Sequence, residues 1–149
     1  MLTVITGPPC AGKTTYARQH ALPGDIIIDF DEIAMALGCP ARHAYGDKDH
    51  IWHVTLAARN AAITTAIQRH HHGARVWVID CVIPGNRQAA YAANGARIVT
   101  LHADPAELHR RADEGRPASW HGQIDQWLAT GGKPVQGPRD PVPRRGTAW

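Results

Sequence analysis

Short apolar runs alternate along this chain with longer segments whose apolar residues recur at helical spacing. Four runs read as β-strands: Leu2-Thr3-Val4-Ile5-Thr6, Ile26-Ile27-Ile28, Arg75-Val76-Trp77-Val78-Ile79-Asp80 and Ala96-Arg97-Ile98-Val99-Thr100-Leu101. Ile26-Ile27-Ile28 is β-branched throughout, as a parallel strand covered on both faces would be. Between the runs, helices are expected at 14–21, 33–37, 50–70, 87–93 and 105–113. In the long helix Trp52, Leu56, Ile63 and Ile67 share one face and predict its packing side. Asp104 before Pro105 has the form of an N-cap with proline at the first helical position. Asp47 or Asp49 would cap the long helix. A last amphipathic segment, Ile124 to Leu128 with Trp127, would pack back on the core. Strands alternating with helices build a parallel sheet through right-handed crossovers, with helices on both faces.

Composition narrows this picture. With 149 residues the chain is long enough for one domain with its own core. The pattern places that domain at 1–130, followed by a tail at 131–149 in which eight of nineteen residues are Gly or Pro. The tail's Arg139, Arg144 and Arg145 are either solvated or in reach of an anionic substrate. A formal charge of +3 permits an anionic ligand without demanding nucleic acid. Cys10, Cys39 and Cys81 form no C-x-x-C pair, so reduced thiols and a cytoplasmic setting are expected. No apolar stretch approaches the ~20 residues of a membrane span, and no leader-like segment opens the chain. His70-His71-His72 invites a metal reading, but consecutive helical residues point in different directions and do not converge on one ion.

The sharpest motif follows the first strand: Gly7-Pro8-Pro9-Cys10-Ala11-Gly12-Lys13-Thr14, of the form G-x-x-x-x-G-K-[ST], with Thr15 continuing into a helix. Polyphosphate is held by inward-pointing backbone N–H groups, by a helix N-terminus and by one ammonium. Residues 7–15 are therefore the expected ATP contacts, with Lys13 on the β/γ-phosphates and the Thr14 hydroxyl on Mg²⁺. The second strand delivers Asp29-Phe30-Asp31-Glu32 at its carboxyl end, the edge where ligands of parallel sheets sit. Asp31 is the expected general base, its other reading being the N-cap of a helix that begins near Glu32. Asp29 competes for the same role, with strand-end capping as its alternative. Asp80, ending another apolar strand, either holds Mg²⁺ through water or is an ordinary turn residue.

Lys13-Thr14-Thr15, Asp29-Phe30-Asp31-Glu32, Val78-Ile79-Asp80, Pro84-Gly85-Asn86-Arg87 and Leu108-His109-Arg110-Arg111 occur in an order and spacing that resemble the kinase domain of polynucleotide 5′-hydroxyl kinases. These belong to the wider set of small P-loop kinases, and the resemblance covers roughly residues 2–128. It implies a three-layer P-loop NTPase fold with a four- to five-stranded parallel sheet, and ATP with Mg²⁺. It also implies a strand-2 aspartate as base, at Asp31, and lid arginines at Arg111 and Arg116. The acceptor it implies is a hydroxyl of a nucleic acid, nucleotide or nucleoside, with a hydroxymethyl group of a modified DNA base as a related case. The chain departs from the family where an arginine should follow the base by three residues: that position is Ala34, and Arg42 is the candidate substitute. Two further readings stand beside this one. A small-metabolite kinase keeps the chemistry and changes the acceptor, and a regulatory ATP-binding module keeps only the nucleotide.

Overall fold

The computed structural model describes residues 1–44 and 50–133, so the caps expected at Asp47 or Asp49, and Arg139, Arg144 and Arg145 of the tail, lie outside the described residues. Four strands, β1 (Leu2–Thr6), β2 (Ile26–Ile28), β3 (Val76–Ile79) and β4 (Arg97–Thr100), pair in parallel in the order β2-β3-β1-β4. The register sets Leu2 opposite Val76 and Ile5 opposite Ile79, with Thr3 opposite Arg97 on the other side. Around the sheet lie α1 (Lys13–His20), α2 (Phe30–Ala36), α3 (His50–His70), α4 (Gly85–Ala93), α5 (Pro105–Asp113) and α6 (Ser119–Thr130).

Side-chain alternation divides the core. Leu2, Val4, Val76 and Val78 point to one face and pack with Ile28, with Ile63 and Ala66 of α3 and with Tyr91 of α4. Ile5, Trp77 and Ile79 point to the other face and pack with Ala17 of α1. A smaller cluster of Leu108, Ala112 and Ile124 holds α5 against α6 beneath Cys10 and Ala11. Each fully buried aliphatic side chain contributes about 1.5–3 kcal/mol, which fixes β1 and β3 at the centre and so fixes the loops that leave their carboxyl ends.

Several local expectations are corrected by this arrangement. β2 is an edge strand, so Ile26 and Ile27 remain 36% and 38% exposed and only Ile28 is buried. α2 begins at Phe30, and its N-cap is Asp29 rather than Asp31: Asp29 Oδ1 accepts from the Asp31 amide at 3.0 Å. The buried seam of α3 runs through Thr55, Arg59, Ile63 and Ala66, while Trp52, Leu56 and Ile67 are only half-buried. Asp104 caps α5 as its sequence indicated, with Oδ1 accepting from the Ala106 amide at 2.9 Å. The amphipathic segment at 124–128 is the middle of a longer helix, α6, whose buried residues are Ile124 and Trp127.

Candidate active site

β1, β2 and β3 deliver their carboxyl ends to one cavity of about 1160 Å³. The loop after β1 follows a path that side chains would obstruct. Gly7 has φ 144°, and a Cβ there would stand 2.6 Å from the Leu101 carbonyl oxygen. Gly12, at φ 84°, is the N-cap of α1 and offers no side chain to the first-turn amides, which are therefore left for a ligand. Lys13 is buried, and its Nζ donates to the Gly7 carbonyl at 2.9 Å and the Pro8 carbonyl at 2.7 Å. The ammonium thus lies across the mouth of the loop.

The carboxylates divide into different environments. Thr14 Oγ1 donates to Asp29 Oδ2 at 2.6 Å, so Asp29 joins α1 to α2 as well as capping α2. Asp31 stands in the first turn of α2, lines the cavity, and has Oδ1 3.1 Å from Nδ1 of the buried His43. Asp80, expected either to hold Mg²⁺ through water or to be an ordinary turn residue, is in ion pairs with Arg59 Nη2 at 2.9 Å and Arg87 Nη1 at 3.5 Å. Tyr91 Oη lies 3.4 Å from Asp80 Oδ2, and burial, followed by the Asp80 charge, pushes the Tyr91 phenol up to about 12. Arg59 is itself buried and also donates to the Ile79 carbonyl at 2.6 Å, at the end of β3.

The expected lid arginines reach the same cavity from α5 and the turn that follows it. Arg111 Nη1 donates to the Cys10 carbonyl at 3.1 Å, on the loop after β1, while its Nε donates to Glu107 at 2.7 Å. Hydrogen bonds from Arg110 and then Arg111 hold the Glu107 carboxyl down at about 2. The Arg116 guanidinium lies 4.7 Å above the Trp120 ring. α5 and α6 are further tied by His109 and His121, whose Nδ1 atoms are 2.7 Å apart and whose Nε2 atoms meet Asp125 at 3.0 Å and Asp113 at 3.1 Å.

At the position where the family pattern has arginine, Ala34 is fully buried against its neighbours, so a long charged side chain there would have to displace core. Arg42 does line the cavity, paired with Glu32, which Arg18 also holds at 2.6 Å. Sequence reasoning missed His43, Arg59 and Trp120. Arg59 had a detectable signal, because it falls four residues after Thr55 and four before Ile63, in phase with the buried seam. His43 and Trp120 had none, since a loop and a second helix bring them to the site.

Among the described residues no group of three or more His, Cys, Asp or Glu side chains could hold a metal. A cation here would share its shell with phosphate oxygens, as Mg²⁺ ordinarily does. The loop between first strand and first helix, set at the carboxyl edge of a sheet ordered β2-β3-β1-β4, defines a three-layer α/β fold of the P-loop NTPase type. No protein-family model and no curated protein matches the sequence. Among solved structures, the chain is similar to a chain of the Pnkp1/Rnl/Hen1 RNA repair complex, with a TM-score of 0.58 and 12% identity over 87% of its length. It spans 45% of that chain, and at this identity the likeness is one of fold.

Proposed function

We propose that this protein is a phosphotransferase that moves the γ-phosphoryl group of ATP, with Mg²⁺, to a hydroxyl of a nucleic acid, nucleotide or nucleoside. One observation carries the reading: a single cavity gathers the uncapped amides of the phosphate loop, Lys13, a carboxylate at Asp31 and the arginines Arg111 and Arg116. These are the parts phosphoryl transfer needs, which are positioning, proton acceptance and cations around the transferring oxygens. The cradle suits phosphate because Gly12 caps α1 without a side-chain hydrogen bond, leaving the first-turn N–H groups without a side-chain partner.

In this reading Lys13 leaves the loop carbonyls for the β/γ-phosphate oxygens, and Arg111 and Arg116 close over the phosphates. Thr14, with Asp29 beside it, would hold Mg²⁺, and Asp80 would act through water while ordering Arg59 and Arg87. Bound Mg²⁺ would supply charge neutralisation to the transferring phosphates. Asp31 orients the acceptor hydroxyl and takes its proton as the acceptor oxygen bonds to the γ-phosphorus. The bond from phosphorus to the β–γ bridging oxygen breaks, and its electron pair leaves with ADP.

The aromatic lining of the cavity favours a nucleotide-bearing acceptor over a small metabolite. Phe30 and Trp52 on its walls, with centroids 6.5 Å apart, are aromatic rings of the kind on which bases stack. The likeness to a chain of an RNA repair complex points the same way. The test is a radiolabelled γ-phosphate transfer screen over oligonucleotides, nucleosides and small polyols. Oligonucleotides or nucleosides should accept label, Lys13→Ala should lose transfer by orders of magnitude, and Asp31→Asn should lose it while ATP still binds. Polyols labelled in preference would move the reading to a metabolite kinase. Slow hydrolysis indifferent to every acceptor would leave only a nucleotide-binding regulator.

A further inference from the structure

We infer that Arg59 forms a second anion site on the floor of the cavity, taking a phosphate group that the loop after β1 does not hold. Three observations carry it. Arg59 lines the cavity from α3 and is buried, and its Nη2 makes both of its contacts, to Asp80 Oδ1 at 2.9 Å and to the Ile79 carbonyl at 2.6 Å. Its Nε is buried with no hydrogen-bond partner, a costly state for a donor on a charged group. Arg87 Nη1 shares the same carboxylate at 3.5 Å, so two guanidinium groups meet one acid and a positive charge is left in excess. Tyr91 does not offset it, because its phenol, pushed up to about 12, is uncharged at neutral pH. Asp29, on the same cavity, is committed to the Thr14 hydroxyl and the Asp31 amide.

Buried positive charge without a full counter-charge favours an anion in the space it faces. A guanidinium suits phosphate oxygens in particular, being planar, weakly hydrated and permanently charged. Its place in the fold fixes where that phosphate lies. The sheet order sets β3 between β1, whose loop would cradle the donor, and β2, which leads to Asp31. Anchored to the carbonyl of Ile79, the last residue of β3, Arg59 stands between the two. Two sources present the same chemistry there, a phosphate carried by the acceptor and the γ-phosphoryl group of the donor. The first makes the acceptor a phosphorylated nucleotide or nucleic acid rather than a nucleoside. The inference rests on the proposed phosphotransferase reading for the identity of donor and acceptor, and on the charges around Arg59 for the site itself.

The test titrates inorganic phosphate into the full chain by calorimetry at constant ionic strength, first in the complex with Mg²⁺ and ADP, then with Mg²⁺ and a non-hydrolysable ATP analogue. Arg59→Lys keeps a charge for Asp80 but loses the planar fork. In the ADP complex the wild type should bind phosphate. Arg59→Lys should bind it roughly tenfold to a hundredfold more weakly, the size of a lost hydrogen bond to a charged group, with the Kd for ADP unchanged. No phosphate binding by the wild type, or the same phosphate Kd in Arg59→Lys, would overturn the inference. So would an equal loss for ADP and phosphate, which is what a merely structural arginine would give. With the analogue in place, phosphate that still binds through Arg59 assigns the site to the acceptor, and phosphate that is displaced assigns it to the γ-phosphoryl group. If Arg59→Lys does not fold, Arg59→Met in an Asp80→Asn background, compared with Asp80→Asn alone, serves in its place because it strands no carboxylate, and the same loss of phosphate binding is expected. The two levels separate cleanly. A wild-type chain that does not bind ADP sinks the reading of the loop, whereas ADP that binds beside phosphate indifferent to Arg59 sinks only this site.

Discussion

Arg59→Met removes a guanidinium from the floor of the cavity while keeping an apolar stem of similar length, and its cost follows from what that guanidinium holds. Arg59 Nη2 is 2.9 Å from Asp80 Oδ1 and 2.6 Å from the Ile79 carbonyl, and both Arg59 and Asp80 are more than nine-tenths buried. Breaking one side of a buried ion pair costs about 3–5 kcal/mol, because the remaining charge is stranded away from water. Asp80 keeps Arg87 at 3.5 Å and Tyr91 at 3.4 Å, which places the expectation at the lower end, about 3 kcal/mol. For a chain of this size that is a fall of roughly 6–12 °C in Tm. In an Asp80→Asn background the stranded charge is Arg59 itself, so Arg59→Met should cost at most about 1 kcal/mol, for the hydrogen bond to Ile79, and relief of that charge offsets it. Urea unfolding of the four proteins in this cycle gives the coupling directly, expected at about 2 kcal/mol or more with unchanged m-values. Equal costs of Arg59→Met in both backgrounds would refute the reasoning, since the pair would then not be the source of the loss.

Three other outcomes are expected. Gly7→Ala should destabilise the fold and abolish nucleotide binding, because the new Cβ meets the Leu101 carbonyl at 2.6 Å with φ at 144°; an alanine variant that binds ATP normally in calorimetry would contradict the loop geometry. Arg111→Ala should slow transfer more than it weakens acceptor binding, as steady-state kcat and acceptor KM would show; the reverse would make Arg111 an acceptor contact. Glu107 has a folded pKa depressed from 4.5 to about 2, so its contribution to stability is present above the unfolded value and is lost as pH falls through the folded one. The Tm difference between wild type and Glu107→Gln should therefore shrink below about pH 4.5 and vanish near 2, and a difference independent of acid would count against the Arg110–Glu107–Arg111 network.

The glycine path of the loop after β1 and the order of elements were legible because they are local. Gly7, Gly12, Lys13 and Thr14 act through consecutive backbone geometry, and the four apolar runs declare themselves by length and β-branching. The cap at Asp104 was readable for the same reason, since cap and helix adjoin. The start of α2 was expected near Glu32, two residues late, because Asp29 and Asp31 are equally good cap candidates in sequence, and only the position of Thr14 decides that Asp29 turns inward.

The order of residues along the chain thus sufficed for a glycine-framed loop entering a helix and for a parallel α/β scaffold around it, both products of short-range periodicity and conformational preference. Folding chose the partners: which strand lies at the edge, that Arg59 and Arg87 meet Asp80, and that His43 stands between Asp31 and Trp120. Those contacts join residues on different elements. Burial enforces them by making an unpaired charge costly, and that penalty exists only once the sheet and its helices have closed around it.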